Sequence, residues 1–352
     1  MSPVLDTVKE WLNPNWGRAR TVPPMDTGLR PNLRLDSAAE LLPAGEYEPD
    51  DVVVTAAGLA FSSGNDVFAV RADEVTRLVS FGGTVTALTV RDDQIVAAVE
   101  GRGLVSVAQS GETEDLCTDA PVAGGVTALA TDGAALLATV GSTKVSEWSR
   151  ALVSGDRSGL LVRVDGARAE VVAERLAWPS GVGVAAGEVL LSLSLDHRIE
   201  ARSAPGGRGR VLSANLPVYP GRVHVAGDDW WFAAPYIRNR VTELLLDEPG
   251  LLAEMTEKIS PEEWFVPRLR AGDPFTDTMQ MGQLRVLGVV KSWAPARSCG
   301  LVFRTDSTGR VAESAHARVD SPRHGVTGLT VHNGHVIAAA RGGRNLLRLE
   351  DA

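Results

Sequence analysis

Residues Ala214–Pro235 read ANLPVYPGRVHVAGDDWWFAAP. A turn at Tyr219-Pro220-Gly221 opens onto an alternating run with Val223 and Val225, and a polar Gly227-Asp228-Asp229 turn reverses it into Trp230-Trp231-Phe232-Ala233. Period-two alternation bounded by turn residues is the pattern of a β-hairpin. One hairpin leaves the fold open, and its recurrence narrows it.

The same unit recurs along the chain. First strands begin after turns at Pro49-Asp50-Asp51, Gly83-Thr84, Gly125, Ser180-Gly181, Gly221-Arg222 and Gly325. Each leads to a second apolar run: Asp66–Val70, Gln94–Ala98, Ala135–Ala138, Val189–Ser192, Trp230–Ala233 and His335–Ala339. Six hairpins at a period of roughly 40 residues predict an all-β six-bladed β-propeller. The Trp-Asp and Gly-His pairs of WD40 blades are missing at usable spacing. After Asn345–Leu349 too little chain remains for a fourth strand, so Ala38–Leu42 is expected to supply it and close the ring. The propeller is assigned to 32–352 and an N-terminal helix and arm to 1–31. Within that arm, Ser2-Pro3 caps an amphipathic segment ending at Trp11-Leu12.

Composition limits the partners. The 352 residues are 44% hydrophobic with a net charge of −9, and the arginines are scattered. Nucleic-acid binding, which needs a basic face, is not expected. Cys117 and Cys299 are too few for a disulfide framework or a zinc site. No apolar run is long enough to span a membrane and no secretory signal pattern opens the chain, so the expected location is cytoplasmic.

The interval between the fifth and sixth hairpins is nearly twice the longest of the others and holds an insertion over 237–296. Leu251, Leu252 and Met255 have helical spacing, and Ser260-Pro261-Glu262-Glu263 predicts a further helix start. The insertion follows a second strand, so strand parity places it on the face where the first strands begin. There it is read as a lid over the channel mouth. His332-Asn333-Gly334-His335 is read as a hairpin turn rather than a metal site. Gly206–Arg210 and Arg341–Arg344 are read as turns rather than phosphate cradles.

The starts of the six first strands converge on one channel and offer Asp50, Thr86, Thr127, Ser180, Arg222, and Thr327 with His324. Trp148 and Arg150 lie on the blade-three loop, Trp178 precedes blade four, and Tyr236 and Arg238 stand at the root of the insertion. A hard cation needs several oxygen ligands, preferably more than one carboxylate, and the ring offers one sure carboxylate, Asp50. Neither a metal nor a cofactor is expected. Asp50, His324 and Arg222 are the candidate catalytic groups, with His324 suited to proton transfer near neutrality. Thr86, Thr127, Trp148, Trp178, Ser180, Tyr236, Arg238 and Thr327 are the candidate substrate contacts, and a small molecule is the expected partner.

Several segments carry a family resemblance: Val140–Lys144 leading to Gly159–Arg163, Trp178–Val182, Leu216–Pro220 and Gly300–Phe303. Together they resemble the strictosidine synthase-like branch of six-bladed propellers, related to the gluconolactonase and paraoxonase families. The resemblance implies an acid at Asp50. It also implies asparagines at Thr127 and Ser180 and an acid at Gly221 in metal-dependent relatives, or a catalytic Glu at Thr327 in strictosidine synthase. This chain keeps only the first of these. Three readings follow: a metal-independent enzyme of the Pictet–Spengler condensing kind, a lactonase- or esterase-type hydrolase, and a propeller that binds a ligand or partner without catalysis. In all three, His324 and Arg222 can equally be structural groups that hold loops.

Overall fold

The computed structural model describes residues 32–350 except 44, 72–73, 271–284, 287–288, 291–297 and 319–320, with backbone alone at 240–241, 285–286 and 289–290. The expected helix over Ser2–Leu12 lies outside the described residues. Six four-stranded antiparallel sheets follow one another along the chain. Blade one comprises Pro49–Thr55, Gly58–Ser63, Asp66–Arg71 and Glu74–Ser80, and blade two Val85–Arg91, Gln94–Val99, Gly103–Val107 and Thr113–Cys117. Blade three comprises Val126–Asp132, Ala135–Val140, Gly159–Asp165 and Arg168–Leu176, and blade four Pro179–Ala185, Glu188–Leu193, Arg198–Arg202 and Arg210–Ser213. Blade five is Val223–Ala226, Asp229–Ala233, Leu301–Thr305 and Val311–His316. Blade six is Val326–His332, His335–Ala340 and Asn345–Arg348, completed from the N-terminal side by Ala39–Glu40. The six-bladed all-β architecture is as the hairpin repeat predicts.

One strand differs. The second strand of blade one is Gly58–Ser63, and Asp66–Arg71, expected in that place, is the third. The reversal between the first two strands is made at Ala56-Ala57, which carries none of the usual turn residues. Gly58 takes φ +126°, a conformation that glycine adopts without steric cost.

Ring closure has its own hydrogen-bonding device. Ala39 pairs with Arg348 and Glu40 with Leu347, and the Leu41 amide donates to Leu346 O at 2.9 Å. The buried Asn345 side chain accepts from the Leu42 amide (3.1 Å) and donates to Leu42 O (3.2 Å). Asn345→Ala leaves both Leu42 groups unpaired in a buried setting. The expected loss is about 1–3 kcal/mol, read from the urea midpoint, and an unchanged midpoint would show that this closure is not stabilising.

Six buried clusters lie one between each pair of neighbouring blades. The opening stretch shows how alternation builds two of them. Trp230 and Phe232 face blade four with Leu190 and Ile199, whereas Trp231 and Ala233 face blade six with Leu329 and Ala338. Successive side chains of a strand point to opposite faces, so one strand feeds both cores. The aromatic cluster is therefore blade core.

The insertion leaves blade five after Ala233. Tyr236–Ile237 pairs with Val218–Tyr219, and two helices follow, α1 over Arg240–Leu246 and α2 over Pro249–Lys258. The helix expected from Ser260 is a single 3-10 turn, Pro261–Glu263. Trp264, Phe265 and Val266 are buried in succession, which suits extended chain, and Pro267 disfavours helical geometry at the residue before it. These residues pack with Met255 of α2 and with Val153 of the short helix Trp148–Ser154 in the blade-three loop. The His332–His335 segment is a hairpin turn with Asn333 at φ +51° and Gly334 at φ +81°, as the Asn-Gly pair predicts.

Candidate functional site

A bulge sits at the start of the first strand in five blades. The ladder register shifts between Pro49 and Asp51, Val85 and Ala87, Val126 and Ala128, Pro179 and Gly181, and Val326 and Gly328. The skipped residues are Asp50, Thr86, Thr127, Ser180 and Thr327. A bulge re-aims a side chain out of the regular alternation, and here the five positions converge on the propeller axis. Blade five puts Arg222 in the corresponding place, just before its first strand.

Arg222 closes the axis. Its Nε donates to Thr127 O (3.0 Å), Nη1 to Asp50 O (2.8 Å) and Thr327 O (3.0 Å), and Nη2 to Asp50 Oδ2 (2.8 Å) and Thr86 O (2.5 Å). A guanidinium has five N–H groups, and these bonds engage all of them, on backbone or carboxylate oxygens of four other blades. Asp51 adds an ion pair at 3.3 Å. Burial works against the charge of Arg222, and Asp50 and Asp51 more than restore it.

The two carboxylates differ. Burial alone would raise Asp50, but Arg222 and Arg341, the latter 3.2 Å from Oδ1, hold it below its ordinary value. Burial pushes Asp51 up. It shares Arg222 with Asp50 and lies beside that second negative charge, while the Leu88 and Val52 amides (2.8 and 2.9 Å) pull the other way. Asp50 is thus a clamped carboxylate with both oxygens on guanidinium groups.

The hydroxyls of the ring join blade to blade. Thr127 donates to Pro179 O (2.5 Å), Ser180 to Pro220 O (2.5 Å) and Thr327 to Asp50 O (2.7 Å). At Gly221, where the resemblance implies an acid, a Cβ would stand 2.7 Å from Pro235 Cδ, so a side chain there needs the backbone to move.

Above this floor lies a cavity of about 610 Å³ whose lining includes Asp50, Thr86, Thr127, Ser180, Arg222 and Thr327. Its wall includes Trp148, Trp178 and Tyr236. Trp148 stacks on Tyr236 at 3.9 Å, and its Nε1 donates to Ser194 Oγ at 3.0 Å. Trp178 holds a left-handed backbone, φ +48°, and its ring lies where a Cβ on Gly141 would have to be, at 2.7 Å. The insertion contributes residues 261–262 and 266–269 to the wall. It runs from Val153 of blade three to blade six, where Leu269 O would stand 1.9 Å from a Cβ on Gly342. A second cavity of about 240 Å³ lies on the other side of Arg222, lined by Asp51, His224 and Thr330 among others.

Two of the expected site residues are placed elsewhere. His324 is buried and is absent from the cavity wall: Nδ1 meets Ser298 Oγ at 2.5 Å and Nε2 meets Arg318 O at 2.9 Å. A nitrogen facing a carbonyl must be the protonated one, so the ring holds its neighbouring loops. Arg238 lies under α1, where Nε is 3.3 Å from Glu243 and Nη1 donates to Leu216 O at 3.0 Å. Tyr219 donates to the same carboxylate at 2.6 Å, and His197 Nε2 stands 3.7 Å away. Burial would raise Glu243, yet these partners bring it down to about 2. His197 is itself drawn toward its neutral form by burial, so Arg238 and Tyr219 are the firmer partners. This cluster clamps the insertion to the propeller.

Arg341, Glu147, Glu262 and Arg268 also line the cavity. In the sequence Arg341 reads as part of a turn and Glu262 as part of a helix start, and none of the four is assigned to the site. The signal for Arg341 was strand parity. The end of every second strand faces the same side as the start of every first, and Arg341 follows Ala340 directly.

No protein-family model and no curated protein matches the sequence. Solved structures do match. Regucalcin of Agrobacterium tumefaciens, described as a calcium-binding protein, is 10% identical with a TM-score of 0.58, over 89% of this chain and 93% of its own. Virginiamycin B lyase of Staphylococcus aureus is 10% identical with a TM-score of 0.50, over 88% of this chain and 83% of its own. Among the described residues no cluster of His, Cys, Asp and Glu is arranged to hold a metal, and no helix is long and apolar enough to cross a membrane. At such identities the likeness bears on the fold alone, and the six four-stranded sheets make this chain a six-bladed β-propeller.

Proposed function

We propose that this propeller binds a small organic molecule in the cavity between the axial floor and the insertion, which serves as its lid, and that it does so without a metal. One observation carries the reading: all five N–H groups of Arg222 are engaged on the axis, directly beneath a cavity of about 610 Å³. That volume lies in the range of small-molecule sites. A hard cation needs free oxygen ligands, and the axial carbonyls of Asp50, Thr86, Thr127 and Thr327 already accept from a built-in cation. The calcium binding stated for the Agrobacterium propeller is therefore not carried over to this chain.

The same contacts weigh against the two catalytic readings. Asp50, held below its ordinary pKa between two guanidiniums, is a weak general base and is not protonated to act as an acid near neutrality. Thr327, at the position of the condensing Glu, donates its hydroxyl to Asp50 O. A ligand-binding propeller with a non-catalytic floor is the reading these contacts support.

Native mass spectrometry of the purified protein is expected to show a bound organic mass that denaturation releases, and calcium is expected to leave the melting temperature unchanged. Stoichiometric calcium with a rise in melting temperature, or turnover of lactone or ester substrates lost on Asp50→Asn, would favour the hydrolase instead.

A further inference from the structure

We infer that the ligand is an organic anion, a carboxylate on an apolar body, and that Arg341 holds its charged end. This rests on the ligand-binding reading above and narrows it to a chemical class. The two arginines at the floor are in contrasting states. Arg222 has every donor engaged and 13% of its side chain exposed, whereas 44% of the Arg341 side chain is exposed. Among the described residues the hydrogen bond of Arg341 goes from Nη1 to Asp50 Oδ1 alone, at 3.2 Å. The edge formed by Nε and Nη2 is left unclaimed, and that edge is the fork that fits a carboxylate with two parallel hydrogen bonds.

A second donor lines the same cavity. The Tyr236 hydroxyl has no hydrogen-bond partner among the described residues, and burial pushes its pKa well up, so it stays protonated. Tyr236, Arg341 and Asp50 all line this one cavity. The other acids on the wall are themselves near cations: Glu147 lies 3.4 Å from Arg150, and Arg268 and Arg150 act on Glu262. Asp50 would repel an anion, but both of its oxygens are on guanidinium groups. Trp178, Val126 and Val266 offer apolar surface for the rest of the molecule.

Three probes on one naphthylmethyl body test the charge, the first two of them isosteric: 1-naphthylacetate, 1-naphthylacetamide and 1-naphthylmethylammonium, titrated calorimetrically into the intact protein. The acetate is expected to bind roughly 10- to 100-fold tighter than the amide, the range for a charge-assisted pair. Arg341→Gln should bring the two within about twofold by weakening acetate binding far more than amide binding, and Arg341→Lys should keep part of the preference. Thermal melting of both variants guards against a folding defect, and the Lys variant carries the test if the Gln variant unfolds. Amide or ammonium binding as tight as the acetate, or a preference that survives in Arg341→Gln, overturns the anion assignment and leaves the binding reading standing. No binding by any of the three probes overturns both.

Discussion

Replacing Arg222 with methionine is expected to cost about 3–5 kcal/mol of folding stability, the usual price of stranding a buried charge. The substitution leaves Asp51 without its guanidinium and Asp50 with one of two, removes the guanidinium donor from the Thr86, Thr127 and Thr327 carbonyls, and leaves the Asp50 carbonyl with the Thr327 hydroxyl. Arg222→Lys should fall between the two, because an ammonium has three donors in place of five and no planar fork. The decisive comparison is the triple variant Arg222→Met, Asp50→Asn, Asp51→Asn. Removing the stranded charges should restore at least about 1 kcal/mol relative to Arg222→Met alone, since contacting residues are not additive. Urea denaturation of the four proteins reads this directly. If Arg222→Met melts like the parent while ligand affinity collapses, Arg222 is a ligand anchor rather than a structural plug.

The second large effect is expected at Glu243. Its carboxylate is held at about 2 against an ordinary 4.5, with burial opposing and His197, Tyr219 and Arg238 prevailing. As the pH falls, the unfolded chain takes up this proton near pH 4.5, before the folded protein does. The contribution of Glu243 is therefore complete above about pH 4.5 and disappears as the pH approaches 2. The depression corresponds to an amount on the order of 3 kcal/mol. Glu243→Gln should be less stable than the parent by that order at pH 6, with a gap that closes steadily below pH 4.5. The insertion should also become sensitive to protease near 240–270 before the blades do, because the clamp joins α1 to blades four and five. A stability gap that does not change between pH 6 and pH 3 would refute this account.

How far each residue could be read from the chain depended on what decides its position. Thr86, Thr127, Ser180 and Thr327 were legible because turn chemistry and period-two alternation mark where a strand begins, and all six blades begin on one face. The second strand of blade one was hidden, since Ala56-Ala57 reverses the chain without a turn residue. Arg341 was read only as part of a glycine turn, although the ends of second strands face the cavity as surely as the starts of first strands do. His324 and Arg238 stand near strand starts and the insertion root in sequence, but their side chains turn away into loop contacts. Proximity along a chain does not specify that direction.

The six-bladed ring, its closure by the segment around Ala39 and the face that carries the insertion follow from local patterns, because hairpin periodicity and strand parity are properties of consecutive residues. The state of the site belongs to the tertiary structure. That Arg222 has no donor to spare, that Asp50 is clamped and that Arg341 keeps an open edge among the described residues all depend on carbonyls and carboxylates brought together from blades one, two, three, five and six. Hydrogen-bond saturation is a property of three-dimensional neighbours, and no spacing along the chain encodes it.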